Sequence, residues 1–274
     1  MKRRNFFLLI ALLPAMAWAD VEINETNFPD EKFRSYLLSQ SYGKDGVLTD
    51  AEIASITKIN VSHKDIQSLR GIEFFTALEE LWCFRNQLTT LDVSKNKALQ
   101  LLFCNDNQMT TLDVSGCTAL KTLCCGVNQL TTLDVSGCTW LTTLDCYDNL
   151  LTTLNVSNNT ALEELFCFQN QIKGAGMDAL IENLPTLRRG MIFVIYDEEE
   201  CNEMTTTQVA AAKAKGWIPL FFDGIEYTGS VPDGIDSPKF SPEGKDTIYN
   251  LGGQRIGGMA KGLNIVDGRK VWVK

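Results

Sequence analysis

Between residues 78 and 172 the apolar positions of this chain return every 21 residues. Leu81, Leu102, Leu123, Leu144 and Leu165 form one column, and Cys83, Cys104, Cys125, Cys146 and Cys167 the next. Asn86, Asn107, Asn128, Asn149 and Asn170 form a third, so that each unit reads LxxLxCxxNxLTTLDVSxxxx. The alternation of Leu and Cys predicts a short strand with those two side chains turned inward. One unit has too few apolar side chains to hold itself folded, so the units must stack as coils, each strand pairing in parallel with the next. The Asn column falls at the turn after the strand. A carboxamide both donates and accepts hydrogen bonds, so an inward Asn there satisfies backbone groups that burial would otherwise orphan.

These columns resemble leucine-rich repeats, and specifically internalin-type repeats in the variant where Cys takes the last apolar position of the strand. The resemblance implies an α/β solenoid with a curved parallel β-sheet on its concave face. It also implies a helical N-terminal cap, an αβ C-terminal cap and, for this chain, a small C-terminal β-module.

The flanks divide accordingly. Residues 1–19 read as a secretory signal: Lys2, Arg3 and Arg4, an apolar run from 6 to 13, then Ala17-Trp18-Ala19, with cleavage expected before Asp20. Residues 20–55 predict the helical cap, with a helix over 28–40 and a shorter one from Asp50. Between them 45–52 resembles the latter part of an EF-hand calcium loop, with Asp45, Gly46 and Glu52 at its fifth, sixth and twelfth positions. Ser41 and Gly43 stand where the first and third ligands belong, so a cap is expected rather than a metal site. The repeats occupy 56–172, beginning with an atypical unit in which Ile59, Val61, Ile66 and Leu69 keep the apolar spacing.

From 173 to 224 helices and strands alternate, which predicts continued parallel pairing and a cap over the open end of the stack. Residues 225–244 have a linker's composition. In the last segment, 245–274, Asp267-Gly268 between apolar runs predicts a hairpin. Its wording, Ile248 to Arg255 and then Lys261 to Val266, resembles short C-terminal modules of exported proteins, akin to type IX sorting domains.

Composition narrows the function. The net charge of −9 becomes about −12 once the signal's three basic residues are removed, which argues against nucleic acid or an anionic membrane as partner. No later apolar run is long enough to span a bilayer, so the mature protein is expected to be secreted or held at the cell surface, or to stay in the periplasm, as a monomer. Nine Cys in an exported chain would ordinarily predict disulfides. Ladder Cys on adjacent strands lie about 4.8 Å apart with parallel side chains, whereas a disulfide needs Cβ atoms near about 3.8 Å. Buried thiols are therefore expected. Cys117 and Cys138 alternate with Asn96 and Asn159 in a separate column and read as turn residues. His63 is the only histidine and has no triad around it, and no metal-ligand spacing or cofactor motif is present, so an enzyme is not expected.

Residues flanking the inward Leu and Cys must point outward on the concave face. Aromatic residues gather there at both ends: Trp82, Phe84 and Phe103 in the first repeats, Tyr147, Phe166 and Phe168 in the last, with Asp145 beside them. Thr122, Cys124 and Gly126 leave a low saddle between. Two readings fit. The rings and acidic neighbours suit recognition of a protein or glycan, as in adhesion or host interaction, or they stack along the ladder for stability alone in a structural surface or matrix spacer.

Overall fold

The structure, a computed structural model, describes residues 20–196 and 201–230, together with the backbone of short strands between 248 and 273. The proposed signal at 1–19 lies outside the described residues. The chain divides into two units, 1–230 and 231–274.

The first unit begins with strand β1 (Val21–Glu22), helix α1 (Glu31–Ser39), strand β2 (Val47–Leu48) and helix α2 (Asp50–Ser55). The repeats supply β3 (Lys58–Asn60), β4 (Glu80–Trp82), β5 (Thr90–Asp92), β6 (Leu101–Phe103), β7 (Thr111–Asp113), β8 (Thr122–Cys124), β9 (Thr143–Asp145) and β10 (Glu164–Phe166). The final coils add α3 (Ala175–Asn183), β11 (Gly190–Ile195), α4 (Thr206–Ala214) and β12 (Trp217–Phe221). One eight-stranded sheet runs β3-β4-β6-β8-β9-β10-β11-β12, parallel throughout. On the return side of the coils β5 and β7 pair in a sheet of their own. The fold is a leucine-rich-repeat solenoid with flanking caps.

Register follows the columns. Leu81 pairs with Leu102, Leu102 with Leu123, Leu123 with Leu144, and Leu144 with Leu165, so every rung places like beside like. All five of these Leu and all five ladder Cys are fully buried. Burial pushes the Cys83, Cys104, Cys125 and Cys146 thiols well above their ordinary range, which makes them packing groups rather than nucleophiles.

The Asn column holds the coils together. Asn149 donates from Nδ2 to the carbonyl of Cys125 in the preceding coil at 3.2 Å and to its own coil's Cys146 at 3.1 Å. Its Oδ1 accepts from the Leu130 N–H at 2.9 Å. Asn107, Asn128 and Asn170 repeat this pattern, and Asn86 makes it with Val61, Cys83, Lys64 and Ile66. Beyond the periodic region Asn202 takes the same place, donating to Cys167 and Val194 and accepting from the Ile172 N–H. The spacing from Asn170 is no longer that of the repeat, which is why the columns do not reveal it.

The residue before each Asn adopts a left-handed backbone: Arg85, Asp106, Val127, Asp148 and Gln169 have φ between 49° and 55°. Val127 is the β-branched member of this set, and such a residue is strained there. The second column is buried as well: Cys117 and Cys138 donate from Sγ to Val93 and Val114 carbonyls, the role that Nδ2 of Asn96 and Asn159 fills in neighbouring coils.

At the N-terminal end Asp30 caps α1 by accepting from the Lys32 and Phe33 N–H groups, an arrangement favourable at a helix start. Its second oxygen accepts from the Gln67 and Ser68 N–H groups, tying the cap to the first coil. Phe28 is buried against Phe33, Phe74 and Phe75. Gly71, at φ 104°, lies under the Phe28 ring, where an added Cβ would come within 2.2 Å. In the EF-hand-like loop Asp45 accepts from the Val47 N–H. The Glu52 carboxylate forms a capping box with Thr49 at the start of α2. Among the described residues no group of three or more His, Cys, Asp or Glu could hold a metal ion.

Of the stretch expected as a linker, residues 225–230 pack on the first unit, and 231–244 lie outside the described residues. Leu220 bridges to Glu226 and Thr205 to Ser230, while the Tyr227 hydroxyl donates to the Met204 carbonyl. The Tyr227 ring meets Phe221 edge-on. Local Gly and Ser content does not register these contacts, because they come from residues outside the segment, in β12 and just before α4. In the second unit β13 (Ile248–Tyr249), β14 (Arg255–Ile256), β15 (Gly262–Val266) and β16 (Arg269–Val273) form an antiparallel sheet in the order β14-β13-β15-β16. The strands on either side of the hairpin anticipated around 267–268 pair in antiparallel fashion, Val266 with Arg269; residues 267–268 themselves lie outside the described residues.

Two substitutions test the ladder from opposite sides. Val127→Asn relieves a left-handed strain of about 1–2 kcal/mol and should raise Tm. Asn149→Ala removes buried hydrogen bonds between coils and should cost roughly 3 kcal/mol. Thermal and urea melts read both, and equal losses in the two variants would contradict the assigned turn geometry.

Candidate functional site

Strand side chains alternate, so each three-residue strand buries its middle position and turns its ends to the concave face. Because the strands are in register, outward residues of one column stand beside each other, and rings in one column can stack.

At the N-terminal end Trp82 lies 5.2 Å from Phe103 and 6.5 Å from Phe84 between ring centroids. The exposed His63 meets Phe84 edge-on at 5.1 Å. Lys58 Nζ stands 4.8 Å from the centre of the Trp82 ring and 2.6 Å from Glu80 Oε2. This end therefore carries its own cation, held by a π face and a carboxylate.

The C-terminal end gathers more rings. Phe166 stacks on Phe193 at 4.4 Å with the planes 8° apart. Tyr147 stacks on Phe168 at 4.8 Å, and Phe168 in turn contacts Tyr196 and Phe222. Phe168, anticipated as an exposed binding residue, is only 2% exposed. It is the floor of the cluster, covered by rings from later coils. Tyr196 and Phe222, 40% and 54% exposed, form the outer wall. Phe193, Tyr196 and Phe222 escape the column analysis because the period ends at residue 172; the alternation within 191–196 was the available signal for Phe193.

Asp145 completes this groove. In the sheet it sits between Cys124 of β8 and Phe166 of β10. Burial pushes its carboxyl up to about 6, while the Tyr147 N–H, 3.4 Å from Oδ1, pulls it partly back. No Lys, Arg or His among the described residues pairs with it. Burial, then Asp145, pushes the Cys124 thiol up to about 12. Burial also raises the Tyr147 phenol, helped by Asp145, Asp106 and Asp148. The saddle foreseen at Gly126 is occupied by the Tyr147 ring, since a Cβ on Gly126 would fall 2.5 Å from it. Asp145, Tyr147, Phe166, Phe168, Gln169, Tyr196 and Phe222 enclose a groove of about 420 Å³, within the ~300–1,000 Å³ usual for ligand clefts. A larger hollow, about 650 Å³, lies beside α2, away from the concave strands.

Asp145 has a measurable consequence for stability. Its folded carboxyl titrates near 6 and its unfolded one near 3.8, so folding favours the protonated form. Its contribution is full below the unfolded value and is lost as pH rises through 6. Cys124 and Tyr147 stay neutral over this range. Asp145→Asn should therefore raise Tm at pH 7.5 and leave it unchanged near pH 4. A variant less stable than wild type at pH 7.5 would mean that the carboxylate is compensated.

No protein-family profile matches the chain. Over 70 residues it is 39% identical to Internalin J of Listeria monocytogenes serotype 4b (strain F2365), a match covering 25% of this chain and 8% of that protein. Among solved structures it is similar to the functional domain of InlJ from Listeria monocytogenes, which includes a cysteine ladder. That likeness has a TM-score of 0.58 and 30% identity over 72% of this chain and 42% of the other. An internalin, InlF, of Listeria monocytogenes strain 4b F2365 is similar in fold, with a TM-score of 0.54 and 24% identity over 74% of this chain and 58% of that one. A leucine-rich-repeat protein of Leptospira interrogans has a TM-score of 0.50 and 22% identity over 62% and 44% of the two chains. The chain thus spans less than half of either InlJ sequence it matches. Nothing in these likenesses supports the resemblance of the tail to sorting domains. With its buried Cys column and its Asn-bonded coils, the chain is a leucine-rich-repeat solenoid similar in fold to these internalins.

Proposed function

We propose that this is an exported, non-enzymatic binding protein that recognises a protein or glycan partner through its concave strands, in adhesion or host interaction. The observation that carries the reading is the C-terminal groove, where two exposed rings and a desolvated, unpaired carboxylate stand together on one face. Exposed apolar rings and a buried charge both lower the stability of a free monomer, and their cost is recovered when a partner covers them. The basic and apolar leader at 1–19 supports export. The internalin likeness supports a binding role rather than catalysis.

A second reading has one observation in its favour. The near-parallel stack of Phe166 on Phe193 joins two strands and strengthens the sheet, as a structural spacer would require.

Binding of the purified protein to panels of extracellular host proteins and glycans, compared with Phe222→Ser and Tyr147→Ser variants, separates the two. On the binding reading, Phe222→Ser lowers affinity at least tenfold while its Tm stays near that of wild type. Core Leu123→Ala, as a reference, should cost about 2–5 kcal/mol. Loss of stability in Phe222→Ser as large as in Leu123→Ala, with no partner in either panel, would leave the rings a structural role alone.

A further inference from the structure

The two ends of the concave face carry the same set of groups with one difference. At the N-terminal end Trp82 occupies the outward column after the buried Leu, Glu80 the column before it, and Lys58 from the adjacent strand lies over the ring and against the carboxylate. At the C-terminal end Phe166 and Asp145 occupy the first of these columns, and Tyr147 stands beside them two positions further on. Rings and carboxylate are present there, but among the described residues no ammonium or guanidinium lies over these rings and none pairs with Asp145. Arg85 pairs instead with Asp106, at a long 3.9 Å.

We infer that the C-terminal groove takes a cationic side chain, a lysine ammonium or an arginine guanidinium presented by a protein partner, against the rings of Tyr147, Phe166 and Phe222 and the carboxylate of Asp145. The inference rests on the concave face being the binding surface and names the chemistry that it selects. Aromatic faces carry negative potential and attract cations, most strongly where water is excluded. Asp145 is part-buried with a single long hydrogen bond, and a carboxylate so placed is stabilised when an opposite charge arrives. A neutral sugar would stack on the rings but leave that charge uncompensated in a drier groove. The chain's net charge of −9 draws basic partners toward it over longer range.

The full chain, labelled with 3-fluorotyrosine and followed by fluorine NMR, provides the test. Tyr147→Phe and Tyr196→Phe assign the two groove resonances. The probes are acetyl-Gly-Arg-Gly-amide, acetyl-Gly-Lys-Gly-amide, the uncharged citrulline analogue of the first, and N-acetylglucosamine. Both cationic peptides should shift the groove resonances saturably, with at least tenfold weaker response to the citrulline peptide. Asp145→Asn, a change expected to leave the fold at least as stable, should weaken the arginine response at least tenfold, whereas Glu80→Gln should not alter it. Equal binding of the arginine and citrulline peptides, or an unaffected Asp145→Asn variant, would overturn the inference. A shift with the sugar and not with the cations would overturn it while keeping the concave face as a binding surface. So would silence toward every probe in a protein that still binds a panel partner through Phe222. Silence in both assays would remove the binding reading as well.

Discussion

Every coil of the solenoid depends on one carboxamide. The turn after each strand brings backbone carbonyls and N–H groups inward, where they are buried or part-buried, and an unpaired buried group costs about 1–3 kcal/mol. Each column Asn answers with donors to two carbonyls and an acceptor for an N–H of the preceding coil, as Asn149 does with Cys125, Cys146 and Leu130. The bonds cross between coils, so the Asn is a spacer as well as a staple: coils must stand one strand apart for both carbonyls to be reached. The left-handed residue ahead of each Asn is part of the same constraint, turning the chain so that the carboxamide points in. Asn202 illustrates which feature is indispensable, because it keeps the hydrogen bonds although the spacing has changed.

That constraint also shapes the outer surface. Coils held at one spacing put their strands in register, and register places outward side chains in rows about 4.8 Å apart, close to the distance at which rings stack. Phe166 and Phe193 stack for this reason, and Asp145 is desolvated because the same row puts Cys124 on one side and Phe166 on the other. Gly126 has a complementary role: without a side chain it lets the Tyr147 ring lie across the sheet. The groove thus arises from a small number of outward side chains on a repeated frame, with no change to the buried columns. The cysteines belong to that frame. Their small apolar bulk fills the space beside the strand, and burial keeps the Cys83, Cys104, Cys125 and Cys146 thiols protonated.

The repeat, its strands, its caps and the identity of the buried columns were legible in the sequence, because a 21-residue period leaves a single arrangement in which Leu, Cys and Asn all face inward. Those assignments rest on local alternation and on like residues recurring at like positions, which is information a linear chain carries in full. What the tertiary structure alone decided is how unlike segments meet. Phe168 sits in an outward column, yet it is buried, because Tyr196 and Phe222 arrive from coils outside the period and close over it. Tyr227, in a stretch of linker composition, is packed for the same reason, being held by Met204 and Phe221. Likewise, the charge of Asp145 is a matter of its surroundings: its own strand reads like its neighbours, and only the packing of adjacent strands removes the water that would have kept the carboxyl near its ordinary value.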